Sequence, residues 1–239
     1  MRPFLTANWR YLAMLNFAID PKILEPLVPT GTELDFHGGR TFASVVGFLF
    51  LDTRILGIPI PLHRDFEEVN LRFYVRRRSG NEWRRGVVFV RELVPRRAIA
   101  LVARTFYGEP YLAVPMRHAL EHEDGRLFAE YQWRRGRSWE TLAMTARGEP
   151  QNAAEGSHEE FITEHYWGYT ARRDRCSEYR VEHPRWRLWT AETTKFAADV
   201  ATLYGPQFVG TLAAEPVSAF IAEGSPIAVY QRNREHPNL

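Results

Sequence analysis

From Val69 the sequence alternates: Leu71, Phe73 and Val75 fall on one side of an extended chain, and Arg72, Tyr74 and Arg76 on the other. A period of two excludes a helix, whose faces repeat every 3.6 residues. Ser79-Gly80-Asn81 then turns the chain and Trp83 to Val94 returns as the partner strand. Short runs closed by turn residues recur along most of the chain. Trp9 to Ile19 reads as a strand, and Glu33 to Phe36 and Thr41 to Thr53 flank a turn at His37-Gly38-Gly39-Arg40. Tyr111 to Leu120, Arg126 to Arg134 and Ser138 to Ala146 form a meander through Asp124-Gly125 and Arg135-Gly136-Arg137. Ser177 to His183 pairs with Trp186 to Glu192, and Val217 to Ala222 with Ile227 to Arg232, around a helix expected over Thr194 to Leu203. The two prolines in Leu56 to Pro61 make that segment irregular.

The other expected helices are few. Asp20 as cap and Pro21 at the first helical position start a short one carrying Ile23, Leu24 and Leu27, stopped by Pro29 and Gly31. Arg96 to Phe106 places Ile99, Val102, Ala103 and Phe106 at helical spacing. Ser157-His158-Glu159-Glu160 is a capping box, so a helix runs from there to about Tyr166. Strands outnumber helices, and the alternating helices of a parallel sheet are missing. The class is therefore α+β, a mostly antiparallel barrel or sandwich. There is no repeat, and the polar run Arg147 to Gly156 fits a loop, so residues 1–239 are read as one domain.

Charge and composition remove several functions. Thirty-one basic residues against 29 acidic leave a net charge of +2, too little for a nucleic-acid binder built on bulk charge. Arginine runs such as Arg76-Arg77-Arg78 and Arg134-Arg135 flank turns and read as solvated loop ends, so no nucleic-acid partner is expected. Cys176 is alone, which excludes an intrachain disulfide and a cysteine zinc cluster. Met1 to Ile19 is interrupted by Arg2, Asn8, Arg10 and Asn16 and lacks the apolar core of a signal peptide. The longest apolar stretch, Phe42 to Leu51, is about half the ~20 residues of a membrane helix. A soluble cytoplasmic protein with no membrane partner is expected.

Recognisable catalytic motifs are missing too. There is no Gly-x-Ser-x-Gly elbow, Walker loop or dinucleotide fingerprint. His118 and His122 fall on a hairpin, His158, Glu164 and His165 on the polar surface of the capped helix, and no metal-ligand spacing emerges; neither metal nor cofactor is expected. The arginines before Cys176 favour a thiolate, but no base accompanies it. His63, beside Arg64 and Asp65 in a loop, is a candidate acid or base. Only Lys22 and Lys195 are lysines, so 29 of the basic residues are arginines, a bias that fits a G+C-rich bacterial genome. Lys195 follows Thr193-Thr194 at the expected helix start, a solvent-facing position.

Four segments carry a family resemblance: Asn8-Trp9-Arg10-Tyr11; Asp20-Pro21 followed by Leu24, Leu27, Val28 and Pro29; Glu68, Asn70, Leu71, Arg72, Tyr74 and Val75; and Gly86-Val87-Val88-Phe89. Together they resemble the YqjF-like family of uncharacterised proteins, over most of the chain. That family is in turn similar to the acetoacetate decarboxylase-like superfamily, through the N-terminal strand-helix-Val-Pro pattern and the stretch Arg91-Glu92-Leu93-Val94-Pro95-Arg96-Arg97. The resemblance implies a closed, mostly antiparallel β-barrel around a small-molecule cavity. In the decarboxylases the two basic residues after the proline are lysines, one of which forms a Schiff base with the ketone. Here both are arginine, and a guanidinium does not deprotonate in a protein, so neither Arg96 nor Arg97 forms an imine. Arginine instead grips carboxylates through paired hydrogen bonds.

By the same resemblance Arg10 matches an active-site arginine, and Glu68 and Glu92 are carboxylates at the barrel mouth. The expectation is a small-molecule-binding protein for an anionic or carbonyl-bearing ligand, with Arg10 and Arg96 or Arg97 as grips and Glu92 orienting them. The alternative is a lyase or hydrolase acting on a small organic acid, with arginines stabilising an enolate and Glu68 or His63 moving the proton.

Overall fold

The computed structural model describes residues 2–59, 63–96, 110–172 and 175–234, with backbone only for 172, 175 and 231–234. The N-terminal half is built from β1 (Leu5–Ile19), β2 (Glu33–Leu34), β3 (Thr41–Ile55), β4 (Ile58–Pro59), β5 (Phe66–Ser79) and β6 (Glu82–Val94). Then follow β7 (Tyr111–Ala113), β8 (Met116–Glu123), β9 (Arg126–Arg135), β10 (Ser138–Arg147) and β11 (Gln151–Asn152). The chain ends with β12 (Trp167–Arg172), β13 (Arg175–Glu182), β14 (Arg187–Ala197) and β15 (Ser218–Arg234). Helices α1 (Pro21–Leu24), α2 (His158–Thr163), α3 (Val200–Leu203) and α4 (Val209–Leu212) are all short. None of the described helices is long and apolar enough to cross a membrane.

Backbone pairing runs β1-β3-β5-β6-β12-β13-β15, and β15 pairs in turn with β1. The joint between β6 and β12 is parallel and only two residue pairs long, Trp167 with Gly86 and Gly168 with Val87. From β15 the sheet continues through β14, β10, β9 and β8. That extension gives β5 two buried faces. Val69, Leu71, Phe73 and Val75 belong to a core with Leu127, Tyr131 and Trp133 of β9, Leu142 and Met144 of β10, and Leu203, Phe208 and Leu212. On the opposite face, Phe66 and Tyr74 join a second core with Leu12, Met14, Phe48, Phe50, Phe161 and Trp186.

Two β-bulges decide which residues face this second core. In β1 the register against β3 shifts between Arg10 and Ala13, where Tyr11 takes φ 53°. The extra residue reverses side-chain parity, so Trp9 and Leu12 face the same way and Arg10 does not. In β6 the register against β5 shifts after Arg91, so that Leu71 pairs with Arg91 but Arg72 with Phe89. Parity again reverses: Val87, Phe89 and Glu92 share one face, where unbroken alternation would have placed Arg91.

Several expectations need correction. Thr194 to Ala197 is not helical: β14 runs through it, paired with β10 (Ala143 opposite Lys195), because β-branched Thr193 and Thr194 suit a strand. Helix α3 starts only at Val200, capped by Asp199. Val217 to Ala222 and Ile227 to Arg232 form no hairpin; they are parts of one strand, β15, which passes through Gly224 at φ 79°. Ser177 to His183 does not pair with Trp186 to Glu192, because β13 lies between β12 and β15. Strand β12 itself was not anticipated. Tyr111 to Leu120 breaks at Pro115, leaving β7 parallel to β6 and β8 in the outer layer. In the described part of Leu56 to Pro61, residues 56–59, the chain is less irregular than expected: Leu56 and Gly57, both at positive φ, turn β3 back onto β4; residues 60 and 61 lie outside the described residues. Leu34 pairs with Val75 of β5, so His37 and Arg40 form only a single bridge. The helix expected over Arg96 to Phe106 lies outside the described residues from residue 97 onward.

Candidate functional site

Inside the second core is a cavity of about 210 Å³. Its wall is mainly apolar and aromatic, with Trp9, Leu12, Phe48, Phe50, Phe66 and Phe89 among the lining residues. Polar side chains on it include Glu68, Asn70 and Arg72 from β5, Glu92 from β6, Tyr111 from β7, and His63 and His165 from connecting segments, together with Thr53 and Tyr179. Strand alternation places the first three in a row, and cross-strand pairing sets Asn70 against Glu92, and Glu92 against Tyr111.

Glu68 is 2% exposed. One carboxylate oxygen accepts from Asn70 Nδ2 at 2.9 Å and the other from the Tyr111 hydroxyl at 3.1 Å. Burial raises its pKa to about 7, although the hydrogen bonds from Asn70 and Tyr111 and the charge of Arg72 pull the other way. The Tyr111 phenol is pushed well above its usual range by burial and by the charges of Glu68 and Glu92, so it stays a donor.

Arg72 has no carboxylate partner among the described residues. Its Nη2 contacts the Ile162 carbonyl at 3.4 Å and Met14 Sδ at 3.9 Å, the guanidinium lies 5.7 Å from the Tyr74 ring, and Nε is buried without a hydrogen-bond partner. Arg72 thus places a partly buried cation, with its Nε donor unfilled, beside an apolar cavity, an arrangement chemically able to pair with an anionic group.

His165 follows α2, whose start is fixed by Ser157 Oγ accepting from Glu160 N–H at 3.1 Å. Its ring bonds Asp35 through Nε2 at 3.1 Å, and Asp35 also accepts from Arg85 Nε at 2.7 Å. Burial works to raise the Asp35 pKa, but the bonds from His165 and Arg85 outweigh it and keep the carboxyl below its usual range. Burial lowers His165 to about 4 despite the bond to Asp35, so the ring is neutral at pH 7. An ionised Asp35 only accepts, so the proton of His165 sits on Nε2.

Glu68 and His63, the proton-transfer candidates, and Glu92, expected to orient the grips, thus all line one cavity. Of the arginines expected as grips, the two that are described, Arg10 and Arg96, do not join them. Arg10, turned away by the bulge at Tyr11, donates from Nη1 to the Gly224 carbonyl at 3.3 Å. Arg96 is exposed and its charge acts on Glu67, on the face of β5 opposite Glu68. Arg97 lies outside the described residues. Lys22 and Lys195 are both exposed, and neither lines the cavity.

Comparison with known proteins agrees with this geometry at the level of fold. A family model described as an uncharacterized conserved protein, DUF2071, matches residues 6–226. The chain belongs to that family. It is 28% identical over 202 residues to the uncharacterized protein YqjF of Bacillus subtilis (strain 168), covering 83% of this chain and 80% of the relative. Among solved structures, acetoacetate decarboxylase from Legionella pneumophila superposes with a TM-score of 0.66 at 13% identity, over 98% of this chain and 87% of that one. An acetoacetate decarboxylase-like enzyme from Sphingomonas wittichii RW1 gives 0.65 at 15% identity, over 99% and 94%. The enduracididine biosynthesis enzyme MppR complexed with pyruvate gives 0.65 at 12% identity, over 98% and 91%. The DUF2071 chain therefore shares a sheet-dominated α+β fold with these enzymes.

Sequence reasoning missed Asn70, Arg72, Tyr111 and His165 as site residues. For Arg72 a signal existed, since it shares a strand face with Glu68 and Asn70. For His165 there was none, because its burial depends on Asp35 and Arg85, both distant in sequence.

Proposed function

We propose that this chain is a single-domain, closed β-barrel protein that binds a small anionic, carbonyl-bearing molecule in its central cavity without Schiff-base chemistry. The barrel reading rests on the cycle of strand pairings that returns to β1. One observation carries the ligand class: Arg72, without a carboxylate partner among the described residues, shares an apolar cavity with Glu68, whose pKa is about 7. We assign the anion grip to Arg72 in place of Arg10 and Arg96. The volume of about 210 Å³ suits a ligand of few heavy atoms, below the roughly 300–1,000 Å³ of drug-sized sites.

A lyase or hydrolase reading is favoured by the same carboxyl. A group titrating near neutrality in a water-poor cavity suits proton transfer at pH 7, with Arg72 opposing charge that develops on a carbonyl oxygen. Calorimetric titration with pyruvate tests binding. Wild type is expected to bind, and Arg72→Gln to bind at least about tenfold more weakly, the scale of a lost charge-assisted hydrogen bond. Equal binding by both would remove Arg72 from the site. Borohydride reduction in the presence of pyruvate is expected to leave the protein's mass unchanged; an adduct on Lys195 would overturn the non-imine reading.

A further inference from the structure

We propose that the cavity selects a small 2-hydroxycarboxylate, or a 2-ketocarboxylate as its enol, with the carboxylate on Arg72 and the hydroxyl donating to Nδ1 of His165. This rests on the anion-binding reading above and adds a second, independently built polar point.

The His165 side chain is 1% exposed, and its ring lies on the cavity wall. Asp35 takes the Nε2 proton at 3.1 Å and is itself anchored by Arg85, so the ring is held in one tautomer and orientation. Packing reinforces this, with Tyr74 and Phe161 at 4.7 and 5.0 Å between ring centroids. The ring's remaining nitrogen, Nδ1, is buried and has no hydrogen-bond partner among the described residues. In that tautomer it is an acceptor only. Asn70 offers a second acceptor of the same kind: its amide donates to Glu68, while Oδ1 is buried without a partner among the described residues. Buried acceptors left unmatched in a folded protein are costly, and a ligand that donates to them removes that cost.

The cation is near His165. Arg72 reaches the carbonyl of Ile162, one helical turn before His165, and both Arg72 and His165 flank the Tyr74 ring, at 5.7 and 4.7 Å. Besides Trp9 Nε1 and Thr53 Oγ1, unpartnered among the described residues, the cavity wall presents the Arg72 cation and the acceptors His165 Nδ1 and Asn70 Oδ1, and this side of it fits a ligand with an anionic group and an adjacent hydrogen-bond donor. A plain carboxylic acid satisfies only the cation. A hydroxyl on the carbon next to the carboxylate adds one donor, which serves one of the two acceptors, here His165 Nδ1, within the few heavy atoms the cavity admits.

Calorimetric titration of the full chain with lactate, both enantiomers, and with propionate tests this without any mutation. Lactate is expected to bind about tenfold more tightly than propionate, the scale of one neutral hydrogen bond in a site built to accept it. In His165→Gln the side-chain amide keeps a donor for Asp35 but loses the acceptor at Nδ1, so the preference is expected to fall to near unity with propionate binding retained. Equal binding of lactate and propionate to wild type overturns the hydroxyl assignment while leaving the anion-binding reading intact. No binding of either acid overturns both. Nitrogen-15 spectra of histidine-labelled protein give an independent check, since a buried imidazole protonated on Nδ1 would also overturn the assignment.

Discussion

Glu68→Gln is expected to stabilise the protein at pH 8 by about 3 kcal/mol and to change little at pH 4. The ordinary carboxyl value is 4.5, and burial raises Glu68 to about 7 in the folded chain. Between these values the folded state holds a proton that the unfolded state has lost. Stability from this group is therefore complete below pH 4.5 and is lost as pH rises through 7. The displacement of about 2.5 units, at about 1.4 kcal/mol per unit, sets the magnitude. Glutamine removes the ionisation while keeping the shape: its carbonyl accepts from Asn70 Nδ2, and its amide donates to the Tyr111 oxygen. For a domain of this size the gain at pH 8 corresponds to about 6–12 °C in Tm. Melting curves of both proteins from pH 4 to 9 read it directly. Parallel curves across that range would show that Glu68 titrates normally and is no candidate for proton transfer near neutrality. The same ionisation is expected to weaken binding of an anion as pH rises through 7, since the new charge faces it across the cavity.

How much of this was legible beforehand differs from strand to strand. The β5–β6 hairpin is visible because Leu71, Phe73 and Val75 alternate and Ser79-Gly80-Asn81 supplies the turn. Alternation alone, however, implies one buried face and one wet face. In β5 both faces are covered, one by β9 and β10 and the other by the cavity wall, so alternation does not show that Arg72 lies among apolar neighbours. The bulges are equally silent. A single inserted residue at Tyr11 or beside Arg91 reverses inward and outward positions, and no composition marks it. That is why Glu92 lines the cavity and Arg10 does not. Glu68 and Glu92 were found through family resemblance; Arg72 had its strand face shared with Glu68 as a signal, whereas His165 needed three-dimensional neighbours. Lys195 was misplaced because a run of Thr193-Thr194-Lys195-Phe196 is locally ambiguous and its pairing with β10 decides it.

The joint between β6 and β12 leads to the other large expected effect. Gly86→Val should destabilise the protein by about 3 kcal/mol, although valine has the higher intrinsic strand preference. A Cβ at residue 86 would lie 2.5 Å from the Trp167 carbonyl oxygen, 2.7 Å from the Tyr169 ring and 2.8 Å from Trp167 Cβ. Backbone cannot rotate away as a side-chain tip does, so the strands must separate. They are joined there by only two residue pairs, Trp167 with Gly86 and Gly168 with Val87, leaving little pairing to resist. Gly168 shows the same closeness on its other side, where a Cβ would lie 2.1 Å from Tyr179 Cζ. Denaturant unfolding of Gly86→Val against Thr193→Val, an exposed strand position on β14, separates the collision from valine's general effect; the latter should stay within about 0.5 kcal/mol. Since Val87, Trp167, Gly168 and Tyr179 all line the cavity, separation at this joint would also open it to water and weaken ligand binding in the surviving folded fraction. A Gly86→Val protein as stable as wild type would mean that β6 and β12 are not in contact, and the cycle of strands around the cavity would then be open at that point.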